Sequence, residues 1–241
     1  MTNDPSDDPS QPDWSALEFD PSSFSGVARL FPLPAPSLYP RVVQPLHIFE
    51  ERYRELMRDA LAGDGLIAMT VLRPGWETDY ASRPPLEAIG CLGSIVTHHR
   101  LEDGRYNLLL AGVARVRLLD EIEPPLAFRR ARVELLSEAE PPATDALAAA
   151  LRSRLISAFR AALPTEQTPD ALRELLEGDT PLGLLADLAA YALPLPRDAK
   201  QAALAELDAA TRAADLLAAL GAPLGDRSAP PRGFPPPFSA N

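Results

Sequence analysis

Cysteine is almost missing from this 241-residue chain. Cys91 stands alone, which excludes an intramolecular disulfide and any four-cysteine zinc site. Lysine is equally scarce: Lys200 is the single lysine among 23 basic residues. A P-loop requires G-x-x-x-x-G-K-[ST], with the lysine on the phosphates, and here Gln201 follows the only lysine. No G-x-S-x-G elbow is present, and residues 90–94 read as strand, so a serine nucleophile there lacks its setting. His47, His98 and His99 are the only histidines. The last two are neighbours on a predicted strand and point to opposite faces, so at most one can join His47 or Cys91. No metal site and no cofactor are expected. No apolar run approaches the roughly 18 to 20 residues that cross a bilayer. The N-terminus is acidic where a secretory leader is basic and then apolar. The expectation is a cytoplasmic protein with no membrane partner.

What is present is a globular composition, 46% hydrophobic, with a formal charge of −11. Residues 1–23 hold six acids (Asp4, Asp7, Asp8, Asp13, Glu18, Asp20) and no base, so the rest of the chain carries −5. Rich in Pro, Ser and Asp and without periodicity, residues 1–23 are expected to be a disordered acidic tail. Residues 222–241 are Pro-rich and are expected to be a second disordered tail.

Between the tails the pattern changes near Pro141-Pro142. Residues 24–140 read as strands with one helix, and residues 141–221 as a helical subdomain. The run from 30 to 57, LFPLPAPSLYPRVVQPLHIFEERYRELM, carries prolines that cannot donate to a central ladder, so strands at 27–33 and 42–48 are expected at edges. A helix follows, with Tyr53, Leu56, Met57, Ala60 and Leu61 on one face, acids at its start and Gly63 at its end. Residues 66–72 form a compact apolar run. Residues 89–101 and 106–119 flank Asp103-Gly104, a hairpin signal, and Gly112 marks a bulge or bend. Residues 128–136 alternate apolar Ala131, Val133 and Leu135 with charge. Six strands without repeated helical crossovers predict a small barrel-like sheet rather than a parallel one. After Pro142 the period becomes 3.6. Leu147, Leu151, Leu155 and Phe159 form one stripe, and four helices are predicted, with Thr180 capping the third and the last running from about Asp198 to Gly221.

The motifs FPLP (31–34), Tyr39-Pro40, PLHIFEERY (45–53), IGCLGSI (89–95), DGRYNLLLAGVARVRL (103–118) and LADLAAYALPLPRDAKQAALAELDAATR (185–212) occur in one order over residues 27–221. In that order and spacing the chain resembles the N-terminal substrate-binding domain of Lon proteases, in a stand-alone bacterial form. The resemblance implies an α+β fold: a PUA-like β pseudo-barrel of about six strands with one inserted helix, followed by a four-helix bundle. Complete Lon enzymes add an ATPase module and a serine–lysine peptidase. Lys200 lies inside a matching helical motif, so the expectation is that the chain is not an enzyme.

The resemblance also implies a protein partner, or an unfolded polypeptide. The loop 73–85 carries Trp76 and Tyr80, residue types that anchor interfaces, although both rings could instead pack on the barrel. Phe49, Glu51 and Arg52 open the first helix beside a proline-held edge to which an extended peptide could add, unless the prolines are there to prevent it. Arg129, Arg130 and Arg132 offer an RNA-binding alternative, since PUA-like folds elsewhere bind RNA. The acidic folded part lacks the basic stripe that nucleic acid requires. A self-associating structural subunit, hence a homo-oligomer, is the third reading.

Overall fold

The computed structural model describes residues 19–78, 83–123, 126–162 and 170–221. Most of both expected tails lies outside them. Residues 19–23 are described: Asp20 caps a short 3-10 turn at Pro21–Ser23, and Phe19 and Phe24 meet edge-to-face at 6.2 Å against the sheet core. The described residues form two compact units that divide between Leu135 and Leu136.

The first unit contains β1 (Val27–Leu33), β2 (Val43–Ile48), α1 (Glu51–Ala62), β3 (Leu66–Val71), β4 (Ile89–Arg100), β5 (Tyr106–Glu121) and β6 (Arg129–Leu136). The strands lie in the order β2-β5-β4-β3-β1-β6, and β6 also pairs with β5. That extra pairing curls the sheet on itself. β2 stays outside the turn at an edge, so the six strands make a pseudo-barrel and not a closed barrel. The enclosed core follows the alternation of the strands: Ala28 and Leu30 from β1, Leu66 and Ala68 from β3, Leu92, Val116, and Ala131 with Val133 from β6.

Two expectations about the sheet need correction. β1 is not an edge strand, because it lies between β3 and β6. Its β6 partners end at Leu30, so Pro32 sits beyond the last rung on that side and removes no bond from it. The sheet is also mixed: β1 and β3 are parallel, joined by a crossover that carries β2 and α1. At Gly112 the bulge is present, as the register slips from Leu92↔Ala114 to Gly93↔Gly112. The physical reason is a close approach: Arg41 N–H donates to Gly112 O (2.7 Å), Gly112 N–H donates to Val42 O (2.9 Å), and a methyl at Gly112 would overlap the Tyr39 carbonyl.

α1 buries Tyr53, Leu56, Met57 and Ala60, whereas Leu61 is 37% exposed because it lies just beyond the buried stripe. Arg29 on β1 pairs with Asp59 and Asp64, tying the end of α1 to the sheet. At the other end Arg54 donates to Gly104 O (2.9 Å) in the β4–β5 turn.

Among the described residues the second unit has five helices, not four: α2 (Ala146–Ala162), α3 (Asp170–Glu177), α4 (Leu182–Ala192), α5 (Arg197–Ala205) and α6 (Ala209–Gly221). The expected last helix breaks at 206–208. There Asp208 Oδ1 accepts Thr211 N–H (2.7 Å) as an N-cap, and Ala139 bridges Asp208 through Ala139 N to Leu207 O and Ala209 N to Ala139 O, both 2.9 Å. Thr180 does not cap α4; its hydroxyl donates to Leu175 O (2.6 Å), and the Glu140 carboxylate takes Gly183 N–H instead. Leu151, Leu155 and Phe159 are buried on α2, while Leu147, in its first turn, is 64% exposed. Arg212, Asp187 and Glu138 form a charged group inside this unit, with Arg212 and Asp187 both fully buried.

Candidate functional site

The edge strand β2 sets one surface of the first unit. The Gly112 N–H to Val42 O bond fixes the alternation. Gln44, Leu46 and Ile48 therefore turn their backbone toward β5, and Val43, Pro45 and His47 turn theirs outward. Pro45 has no N–H to offer, and its carbonyl accepts Gln44 Nε2 at 3.0 Å. The middle of this edge thus lacks a donor and has its acceptor occupied, which is how a sheet resists a further strand. The expected addition of a peptide to the edge is disfavoured at that point.

The face beside the edge is open. Cross-strand register places Pro45, Leu109 and Thr97 in one row and His47, Asn107 and His99 in the next. These six residues line a shallow groove of about 450 Å³ whose walls are mainly carbon. His47 Nδ1 lies 2.6 Å from Asn107 Oδ1, and the Phe49 ring stacks on His47 at 6.1 Å while remaining 39% exposed. Asn107 stands between His47 and His99, so the two imidazoles do not form a ligand pair. Among the described residues no group of three or more His, Cys, Asp or Glu could hold a metal ion. Burial pushes the adjacent His98 imidazole below its ordinary 6.5, and His99 adds to the effect.

A second, deeper cleft of about 270 Å³ opens between α1 and the β1 and β6 strands. Leu30, Pro32, Leu72 and Phe128 form its apolar walls, and Arg52, Arg83 and Arg129 edge it. Tyr53 stacks on Phe31 at 4.2 Å, and the Arg52 guanidinium lies 4.7 Å above the Tyr53 ring. Glu50 pairs with Arg52 at 2.8 Å. Glu121 pairs with Arg129, whose Nη1 also donates to Pro84 O at 2.8 Å.

The predicted site residues separate. Phe49 borders the groove through its stack on His47, and Arg52 lines the cleft. Glu51 is spent on Arg54 (2.7 Å) and Arg58 (3.4 Å) along the solvent face of α1. Trp76 is only 6% exposed and packs with Leu72 and Leu86, so its ring is part of the core. Tyr80 lies outside the described residues. Pro45, Leu109, Arg83 and Phe128 were not singled out from the sequence as a protein-binding surface. Glu121–Arg129 was readable in principle, because both flank the short connection at 122–128 in opposite strands and carry opposite charge.

The fold is a two-unit α+β domain whose first unit carries an apolar groove and an arginine-edged cleft. The chain belongs to the ATP-dependent protease La (LON) substrate-binding domain family, whose model matches residues 27–221. Among curated relatives, Lon protease 2 of Myxococcus xanthus is 29% identical over 188 residues, 77% of this chain and 22% of that protein. Lon protease 2 of Syntrophobacter fumaroxidans is 33% identical over 90 residues, 37% of this chain and 11% of that protein. The chain therefore spans at most about a fifth of the length of these relatives. Solved structures share the fold, two of them as follows. The N-terminal domain of a Mycobacterium avium complex Lon protease superposes with a TM-score of 0.63 at 19% identity, covering 82% of this chain and all of that one. A Lon N-terminal domain protein from Xanthomonas campestris gives 0.56 at 23% identity, covering 80% and 97%.

Proposed function

We propose that this chain is a non-catalytic module that binds exposed or unfolded segments of other proteins, acting as an adaptor or chaperone-like factor. The carrying observation is the apolar groove on the open face of β2, β5 and β4, in a chain of the substrate-binding family. Pro45, Leu109 and the exposed Phe49 ring offer carbon surface that a disordered segment can cover through its side chains. The occupied edge at Pro45 favours such side-chain recognition over strand addition.

The non-catalytic part rests on residue chemistry. The single lysine donates to Tyr191 O at 3.1 Å, the last turn of α4, and the sequence carries no P-loop. The RNA reading has less support, since Arg129 is committed to Glu121 and Pro84.

Fluorescence anisotropy with a carboxymethylated, unfolded model protein tests the proposal. Wild type should bind, and the Phe49→Ser, Leu109→Ser double variant should bind roughly tenfold more weakly through lost apolar contact. Absence of binding by the wild type would refute it.

A further inference from the structure

The arginine-edged cleft is distinct from the groove, and its chemistry is more specific. We propose that it takes an aromatic side chain whose neighbour in the ligand polypeptide carries a carboxylate. This deepens the polypeptide-binding reading and rests on it.

The apolar part comes from four walls and a rim. Leu30 and Leu72 are fully buried at the base, and Phe128 is 4% exposed beside them. Leu126 lines the same cleft yet is 44% exposed, a large apolar side chain at the mouth that the core does not use. Arg52 sits over the Tyr53 ring and pairs with Glu50, which places its guanidinium at the cleft. A planar ring can stack on such a surface, since guanidinium and aromatic faces attract.

The carboxylate preference comes from the sign of the edge. Among the described residues, three arginines and no acid line the cleft. Their acidic partners, Glu50, Glu121 and Glu123, approach from outside that lining, so the group as a whole is close to neutral. This balance argues against a site for polyanions, while still presenting donors inward. Arg83 supplies them: its Nη1 pairs with Glu123 (3.2 Å) and Glu121 (3.5 Å), and its Nε and Nη2 have no acceptor among the described residues. At 33% side-chain exposure it can turn these donors toward a ligand carboxylate in a bidentate pair.

The test uses two labelled hexapeptides, Gly-Ser-Phe-Asp-Gly-Ser and its Phe-Asn counterpart, both with blocked ends, and fluorescence anisotropy against the full chain. The Phe-Asp peptide should bind about three- to tenfold tighter, the range of a half-exposed charge-assisted pair. Arg83→Gln should abolish that ratio. Glu123→Gln, at a side chain 68% exposed, should widen the ratio by releasing Arg83. Leu126→Ser should weaken both peptides alike. Equal binding of the two peptides, or a ratio that survives Arg83→Gln, overturns the inference while polypeptide binding stands. If the unfolded model protein also fails to bind, the underlying reading falls with it.

Discussion

Replacing Arg212 by leucine should be among the most damaging single changes in the helical unit. Its side chain is fully buried, as is Asp187, and Arg212 Nε lies 3.2 Å from Asp187 Oδ1, near enough for ion pairing though not aligned as a hydrogen bond. Nη1 donates to Glu206 O at 2.6 Å and Nη2 to Glu138 at 2.8 Å. Arg212→Leu removes the cation and leaves the Asp187 charge out of water, a loss of about 3 to 5 kcal/mol. It also deprives the Glu206 carbonyl of a donor where α5 ends. With a urea slope of about 1 to 3 kcal/mol per M, the unfolding midpoint followed by circular dichroism should fall by roughly 1 to 3 M. The double variant Arg212→Leu, Asp187→Leu should recover much of that loss, because both buried charges are gone and Glu138, 21% exposed, can be solvated. A single-variant cost below about 1 kcal/mol, or a double variant no more stable than the sum of the singles, would refute the reasoning.

Trp76→Ala should destabilise the first unit by about 3 kcal/mol, because the ring fills space against Leu72 and Leu86, while groove binding of unfolded protein stays within twofold of wild type; thermal denaturation beside anisotropy checks both. His98 should make stability pH-dependent on the acid side of neutrality. Its folded pKa is lowered from 6.5, so the unfolded chain binds the proton more readily. The His98 contribution is complete above 6.5 and is lost as pH falls from there through the lowered folded value. Urea midpoints from pH 7.5 to 5 should decline less steeply in His98→Gln, and an unchanged slope would contradict the assignment.

Much of the first unit was legible because its signals are local. The range 27–33 for β1, the buried face of α1 and the Asp103-Gly104 turn, where Gly104 has φ of 82°, follow from periodicity and turn chemistry. The bulge at Gly112 was visible too, but not its cause, the Tyr39–Val42 backbone folding against it. Prolines misled at β1, because Pro32 shows only that an N–H is missing, not which neighbour would have needed it. The break at 206–208 was missed for a related reason. Asp208 with Thr211 is a readable cap, yet it lies within an otherwise continuous helical pattern and is joined there by the backbone of Ala139.

The site divides in the same way. Phe49 and Arg52 lie at the start of α1, but neither the spacing nor the motifs of the sequence could say that they face two different surfaces. Local order, element type, family membership and the absence of a P-loop are properties of residues near one another in the chain, and the sequence alone determined them. Burial of Trp76, the groove across β2, β5 and β4, the arginine edge of the cleft and the Arg212–Asp187 pair depend on register and strand order. Those are settled only when segments tens of residues apart pack, since exposure, desolvation and charge pairing are set by neighbours in space.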